Sequence, residues 1–79
     1  MQPIHELLNK IKWDERENPK EYSIFYYDRI LKELIKIPYK KIKRIDGSFM
    51  VLDNEEESNI PLHRIKKISR NNILVWHRK

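Results

Sequence analysis

The sequence predicts an α+β fold. An N-terminal amphipathic helix packs on a strongly bent antiparallel sheet of five or six strands, with a small, partly open barrel as one form of it. Three observations predict this. Apolar residues near the N-terminus recur at helical spacing. Aromatic and β-branched residues crowd residues 22–29. A Pro-led pattern occurs twice, once from Ile37 and once from Ile60.

The helix is expected over residues 3–14. Ile4, Leu7, Leu8 and Ile11 fall at i, i+3, i+4 and i+7, on one face. Pro3 suits a first helical turn and Glu6 its positive end. Trp13 follows beside Lys12. It either closes the core over the helix end or offers a stacking surface next to a cation. Residues 15–21 are polar and contain Asn18-Pro19, which reads as a loop.

Tyr22 to Arg29 reads as a strand. Alternation puts Tyr22, Ile24, Tyr26 and Asp28 on one face and Phe25, Tyr27 and Arg29 on the other. Asp28 and Arg29 form a local ion pair, or Arg29 is held ready for an anion. Ile30 to Lys36 fits a helix face or a second strand reached by a turn near Lys32-Glu33. Pro38 disfavours a long helix, so the strand is preferred.

Ile37-Pro38-Tyr39-Lys40-Lys41-Ile42-Lys43-Arg44-Ile45 aligns without a gap on Ile60-Pro61-Leu62-His63-Arg64-Ile65-Lys66-Lys67-Ile68, with five identities in nine positions. In both, two isoleucines three apart break strict alternation. A 3₁₀-like turn after the proline or a bulge would account for that. Asp46-Gly47 is a strong hairpin signal, followed by the apolar strand Phe49–Leu52. Asp53 to Asn59, with Glu55, Glu56 and Glu57, reads as a solvated loop. The second copy turns over Ser69–Asn72, one residue longer than the first, and returns along Ile73–Trp76.

Seventy-nine residues make one domain, expected to span 1–79 as a monomer. There is no cysteine, so neither a disulfide nor a Cys-based zinc site is available, and His5, His63 and His77 lack metal-ligand spacing. No cofactor or metal is expected. No run approaches the ~20 apolar residues of a membrane span, and the chain reads as soluble and cytoplasmic. The net charge is +5 and unevenly spread. Residues 1–33 hold six bases against seven acids, whereas 34–45 hold five bases and 60–79 hold six, both without an acid. That distribution suits a polyanion, or simply a well-solvated surface.

Comparing the two copies isolates candidates for chemistry. Lys40-Lys41 of the first becomes His63-Arg64 in the second, and the last strand ends Trp76-His77-Arg78. If His63, Arg64 and Arg78 meet Arg29 and the Lys12-Trp13 pair, the result is a pocket of fixed cations, an imidazole and an aromatic wall. Guanidinium forks bind phosphate oxygens, and aromatic rings stack on bases. Competing structural roles stand beside this: a core histidine for His63, surface solubility for Arg64 and Arg78, and core packing for Trp76. His63 and His77 could instead be an acid–base pair acting on a phosphodiester, or the chain could be an adaptor for a protein partner.

Lys10-Ile11-Lys12-Trp13, Tyr27-Asp28-Arg29, Ile60-Pro61-Leu62-His63-Arg64-Ile65 and Val75-Trp76-His77-Arg78 occur in that order. Together they resemble a small archaeal family, formerly counted as uncharacterised and now called the RNA cyclic group end recognition domain. The resemblance covers nearly the whole chain. It implies a non-enzymatic module that recognises RNA termini bearing a cyclic phosphate. In larger proteins such domains accompany RNA-ligase-like or two-histidine phosphoesterase proteins. Lys12, Trp13, Asp28, Arg29, His63, Arg64, Trp76 and Arg78 match the family's motif positions. Of these, the three arginines would contact phosphate, His63 would orient it, and Trp13 or a tyrosine would stack on the terminal base. The span between Arg29 and Ile37 departs from the family's shorter or more variable turn.

Overall fold

The computed structural model describes residues 3–53 and 58–78. Helix α1 (Ile4–Trp13) is followed by a 3₁₀ turn, Pro19–Glu21. Strands β1 (Tyr22–Asp28) and β2 (Glu33–Pro38) come next, then a second 3₁₀ turn, Tyr39–Lys41. Strands β3 (Ile42–Asp46), β4 (Phe49–Leu52) and β5 (Asn59–Pro61) precede a third 3₁₀ turn, Leu62–Arg64. Strands β6 (Ile65–Arg70) and β7 (Ile73–His77) complete the order. The predicted α+β class holds, but the sheet is not one of five or six strands. Seven described strands form two antiparallel sheets, ordered β2-β1-β6-β7 and β3-β4-β5, and neither closes into a barrel. The prolines explain the division. Pro38 and Pro61 end β2 and β5 and lead into 3₁₀ turns, so the chain leaves one sheet and enters the other there.

The helix is as its spacing predicts, one residue shorter at each end. Leu7, Leu8 and Ile11 are buried, and Pro3 is the N-cap rather than a first-turn residue. The Tyr39 hydroxyl donates to the Leu8 carbonyl at 2.9 Å, tying the helix to the second 3₁₀ turn. His5 Nε2 meets the Gly47 carbonyl at 2.9 Å. At the C-terminal end Asp14 accepts from Arg16 Nε (3.1 Å) and Nη2 (3.0 Å). These hydrogen bonds hold its carboxyl down to about 2. The core joins the helix residues to Ile24, Met50, Ile65, Ile68 and Trp76, drawing on both sheets.

The two Pro-led copies are one supersecondary unit used twice. Each runs strand, proline, 3₁₀ turn, strand, hairpin, strand, and the first residue of each 3₁₀ turn (Tyr39, Leu62) is buried. Both features foreseen for the three-residue slip are present, the 3₁₀ turn ahead of it and a bulge within it. After the turn, the β3–β4 register skips Lys43 and the β1–β6 register skips the equivalent Lys66. One bulged residue lets Ile42 and Ile45, and likewise Ile65 and Ile68, face the same side. The second hairpin is not longer at its turn. Both loops have two residues, Gly47-Ser48 and Asn71-Asn72, and the extra residue lengthens β6. Asn71 and Asn72 both have positive φ (50° and 70°), which asparagine tolerates better than most residues.

Ile30 to Lys36 resolves as a turn into β2. Asp28 Oδ1 accepts from the backbone N–H groups of Ile30 (2.9 Å) and Leu31 (3.0 Å), and Lys32 closes the loop at φ 56°. Asp28 is therefore the turn former. Within the polar segment 15–21, Asn18 Oδ1 accepts from Lys20 N–H and starts a 3₁₀ turn. Its acids reach the basic second copy: Arg70 Nε lies 2.8 Å from Glu21 and Nη1 3.9 Å from Glu17. So one cation of the 60–79 segment is neutralised from a distance. The expected loop at Glu55–Glu57 lies outside the described residues.

Candidate nucleic-acid interface

Arg64 ends the third 3₁₀ turn, half-buried, directly after the buried Leu62 has anchored that turn in the core. Arg29 sits on the turn that Asp28 shapes at the end of β1. Because β6 pairs with β1 and the 3₁₀ turn packs against β1, these two positions, 35 residues apart in sequence, reach one groove. It has a volume of about 400 Å³ and lies between the end of β1 and strand β5. Arg29, Arg64, Asp28, Tyr26, Tyr27 and Asn59 contribute to its lining.

The groove pairs two permanent cations with aromatic and neutral polar walls. Burial, with the Asp28 charge adding to it, raises the Tyr26 hydroxyl above its ordinary range, so that hydroxyl remains a proton donor. Asp28 is the one acid among the groove's described lining residues, and its carboxylate already accepts two backbone bonds.

The other selected residues are placed elsewhere. His63 is exposed on the 3₁₀ turn and does not line the groove. Lys12 and Trp13 make a separate exposed pair at the helix end, with Lys12 Nζ 5.0 Å from the ring centroid. Trp13 is 73% exposed, so it does not close the core. The helix stripe that is buried ends at Ile11, and Trp13 falls off that face. Trp76 is 6% exposed and packs in the core. It pairs with Ile68 on the inward face, so its ring is not presented to a base. Arg78 donates from Nε to the Ile65 carbonyl (3.1 Å) and from Nη2 to the Leu62 carbonyl (3.2 Å). Its guanidinium carbon lies 5.3 Å from the Trp76 centroid. Arg78 thus braces the turn that carries His63 and Arg64. His77 lies opposite Lys67 on β6, and it too is absent from the groove lining.

Sequence reasoning named neither Tyr26, Tyr27 nor Asn59 as a site residue, although Tyr27 opens the Tyr27-Asp28-Arg29 motif. The aromatic strand ending in Asp28-Arg29 was the available signal for the tyrosines. Asn59 carried none, since β5 is three residues long. Among the described residues no group of three or more His, Asp or Glu could hold a metal, and no helix is long and apolar enough to cross a membrane.

Comparison with known proteins agrees with the resemblance. The family model described as "MJ1316 RNA cyclic group end recognition domain" matches residues 1–78. A UPF0248 protein of Saccharolobus islandicus (strain L.S.2.15 / Lassen #1) is 35% identical over 78 residues, covering 95% of this chain and 98% of the relative. A UPF0248 protein of Metallosphaera sedula is 35% identical over 75 residues (95% and 91%). One of Saccharolobus solfataricus is 31% identical over 78 residues (95% of each). No solved structure matches. With the profile spanning nearly every residue and relatives of matching length, the chain belongs to the MJ1316 RNA cyclic group end recognition domain family.

Proposed function

We propose that the chain is an RNA-binding module that recognises termini bearing a cyclic phosphate, without catalysis. The observation that carries this reading is the shared placement of Arg29 and Arg64 on a groove walled by Tyr26 and Tyr27. Guanidinium forks match the two non-bridging oxygens of a phosphate, and a tyrosine face can receive the terminal base. A groove of about 400 Å³ lies within the range of small-ligand sites, roughly 300–1,000 Å³.

Asp28 also makes the groove sensitive to the charge of the end. A cyclic phosphate is a diester with one negative charge, whereas a linear terminal phosphate carries about −1.5 to −2 at neutral pH. Asp28 in the wall repels the doubly charged end more than the singly charged one, and so offsets part of what Arg29 and Arg64 give the linear form. Catalysis by the His63 and His77 pair would require both at one phosphodiester, and neither lines this groove.

The reading is tested by titrating a short cyclic-phosphate RNA into the wild type, Arg29→Ala and Arg64→Ala. Each variant is expected to weaken binding at least about tenfold, the order for a lost charge-assisted bond. Unchanged affinity in both would overturn it. The RNA should also be recovered intact after long incubation.

An adaptor role is the second reading, favoured by the exposed apolar run Ile73-Leu74-Val75 on edge strand β7. Gel filtration with an RNA-ligase-like or phosphoesterase protein tests it, and the absence of any complex counts against it.

A further inference from the structure

The four-stranded sheet buries one face in the core and turns the other outward. Central strand β1 presents Phe25 on that outer face. Its register partners are Lys36 on β2 and Lys67 on β6, and Lys67 in turn pairs with His77 on β7. One transverse row therefore reads Lys36, Phe25, Lys67, His77 across all four strands. Both ammonium groups lie over the ring, Lys67 Nζ at 4.8 Å and Lys36 Nζ at 5.7 Å from its centroid. Neither lysine has a carboxylate partner among the described residues. By the strand registers, no acidic side chain shares this face, although the protein has 12 acids.

Tyr27 stands two residues beyond Phe25 on the same face, about 7 Å along the strand. Tyr27 also lines the Arg29/Arg64 groove. The outward face thus runs without a break from a cation-flanked phenyl ring, past a tyrosine, into the groove. Beside Phe25 and Lys67, a hollow of about 150 Å³ is floored by Ser69 and walled by Leu74 and Asn72.

We propose that the outer face of the β2-β1-β6-β7 sheet is a second binding surface, holding the single-stranded RNA body upstream of the terminus, with Phe25 and Tyr27 as stacking platforms and Lys36 and Lys67 on the flanking phosphates. The charge pattern decides the occupant. Aromatic rings interleaved with unpaired lysines suit a chain that alternates bases with anions. A protein partner with an apolar face would leave both lysines desolvated without a counter-charge. Duplex RNA hides its base faces and leaves the rings nothing to stack on. Lys36 is exposed and Phe25 and Lys67 are half-buried, and the flexible lysine stems can swing to phosphates as a base arrives. The inference takes from the preceding reading only that the ligand is RNA. It does not depend on preference for the end.

The test uses the full chain and RNAs of two and eight nucleotides, each prepared with a cyclic-phosphate terminus and with a free hydroxyl. Wild type should bind the longer RNA at least about fivefold more tightly, the lower bound for one stacked base. Phe25→Leu, which keeps an apolar side chain in the sheet, should lose most of that gain. Lys36→Ala with Lys67→Ala should lose it too and lower the salt slope by about 0.7 per lysine. Both variants should retain the end preference of the two-nucleotide RNA, while Arg64→Ala should lose the preference and keep the length gain. Circular dichroism checks that each variant is folded. The proposal is overturned if wild type shows no length gain, if the gain survives in both sheet variants, or if an eight-base-pair duplex binds as tightly as the single strand. A length gain with no end preference would sink the groove reading and leave this one standing.

Discussion

Arg78 is the residue whose removal tests the architecture of the site most sharply. Its guanidinium spans two backbone carbonyls, Ile65 at 3.1 Å and Leu62 at 3.2 Å, at either end of the 3₁₀ turn that presents Arg64. Both bonds are at the long end of the useful range, so each contributes about 0.5–1 kcal/mol net. Its position over Trp76 adds about 0.5 kcal/mol. Arg78→Ala should therefore cost about 2 kcal/mol. In a domain of this size that lowers Tm by about 8–16 °C. Arg78→Lys keeps the charge but replaces a fork with a point donor, so it should recover less than half of the loss. Thermal unfolding followed by circular dichroism measures both. A shift for Arg78→Ala within about 2 °C of wild type would refute the bracing role and return Arg78 to the pool of surface cations.

Asp28→Asn should keep the turn, because an amide oxygen also accepts the Ile30 and Leu31 N–H groups, while removing the groove's described carboxylate. At about 6 Å and an effective dielectric near 40, one charge is worth about 1.4 kcal/mol, so RNA with a linear terminal phosphate should gain about three- to tenfold relative to the cyclic form. Equal effects on both ends would contradict the charge argument. Tyr39→Phe deletes the hydroxyl bond to the Leu8 carbonyl and should destabilise by about 1 kcal/mol in urea unfolding, with no loss expected if that bond is idle. Burial, and then the hydrogen bond to Glu17, push the Tyr22 hydroxyl up to about 12. Its folded-state value lies above the unfolded ~10, so its contribution is complete below pH ~10 and is lost as pH rises toward about 12. Tyr22→Phe should flatten that alkaline decline in a stability-against-pH series, and an unchanged profile would assign the decline to another group.

Much of the fold was legible because local rules and tertiary packing agreed. The Ile4, Leu7, Leu8, Ile11 stripe is the helix face turned to the core, and Asp46-Gly47 does mark a hairpin, whose loop is Gly47-Ser48 with Gly47 at φ 58°. The repeated Ile-x-x-Ile slip named its own cause, since only a bulge or tight turn realigns residues three apart on one face of a strand. What failed to show was non-local. Strand β5 has three residues inside a polar segment, too few for any period. Without it the second sheet, and therefore the groove between sheets, could not be placed. The roles of the tryptophans stayed open for a related reason. Trp13 and Trp76 carry the same composition signal, but one falls beyond the buried helix stripe and the other pairs with Ile68 over the core. The sequence pointed to Arg29 and Arg64 by motif, yet their shared groove depends on β1–β6 pairing across some 40 residues. Arg78 looked like a phosphate ligand for want of any sign that backbone carbonyls already occupy it.

The central claim is that the Arg29/Arg64 groove reads the chemistry of an RNA terminus. It is tested most directly by the affinities of one short RNA prepared with a cyclic phosphate, a linear phosphate and a free hydroxyl, measured at moderate salt. The cyclic end should bind tightest, with the difference from the hydroxyl end collapsing in Arg64→Ala. Three equal affinities that fall together as salt is raised would mark a merely electrostatic binder and contradict it.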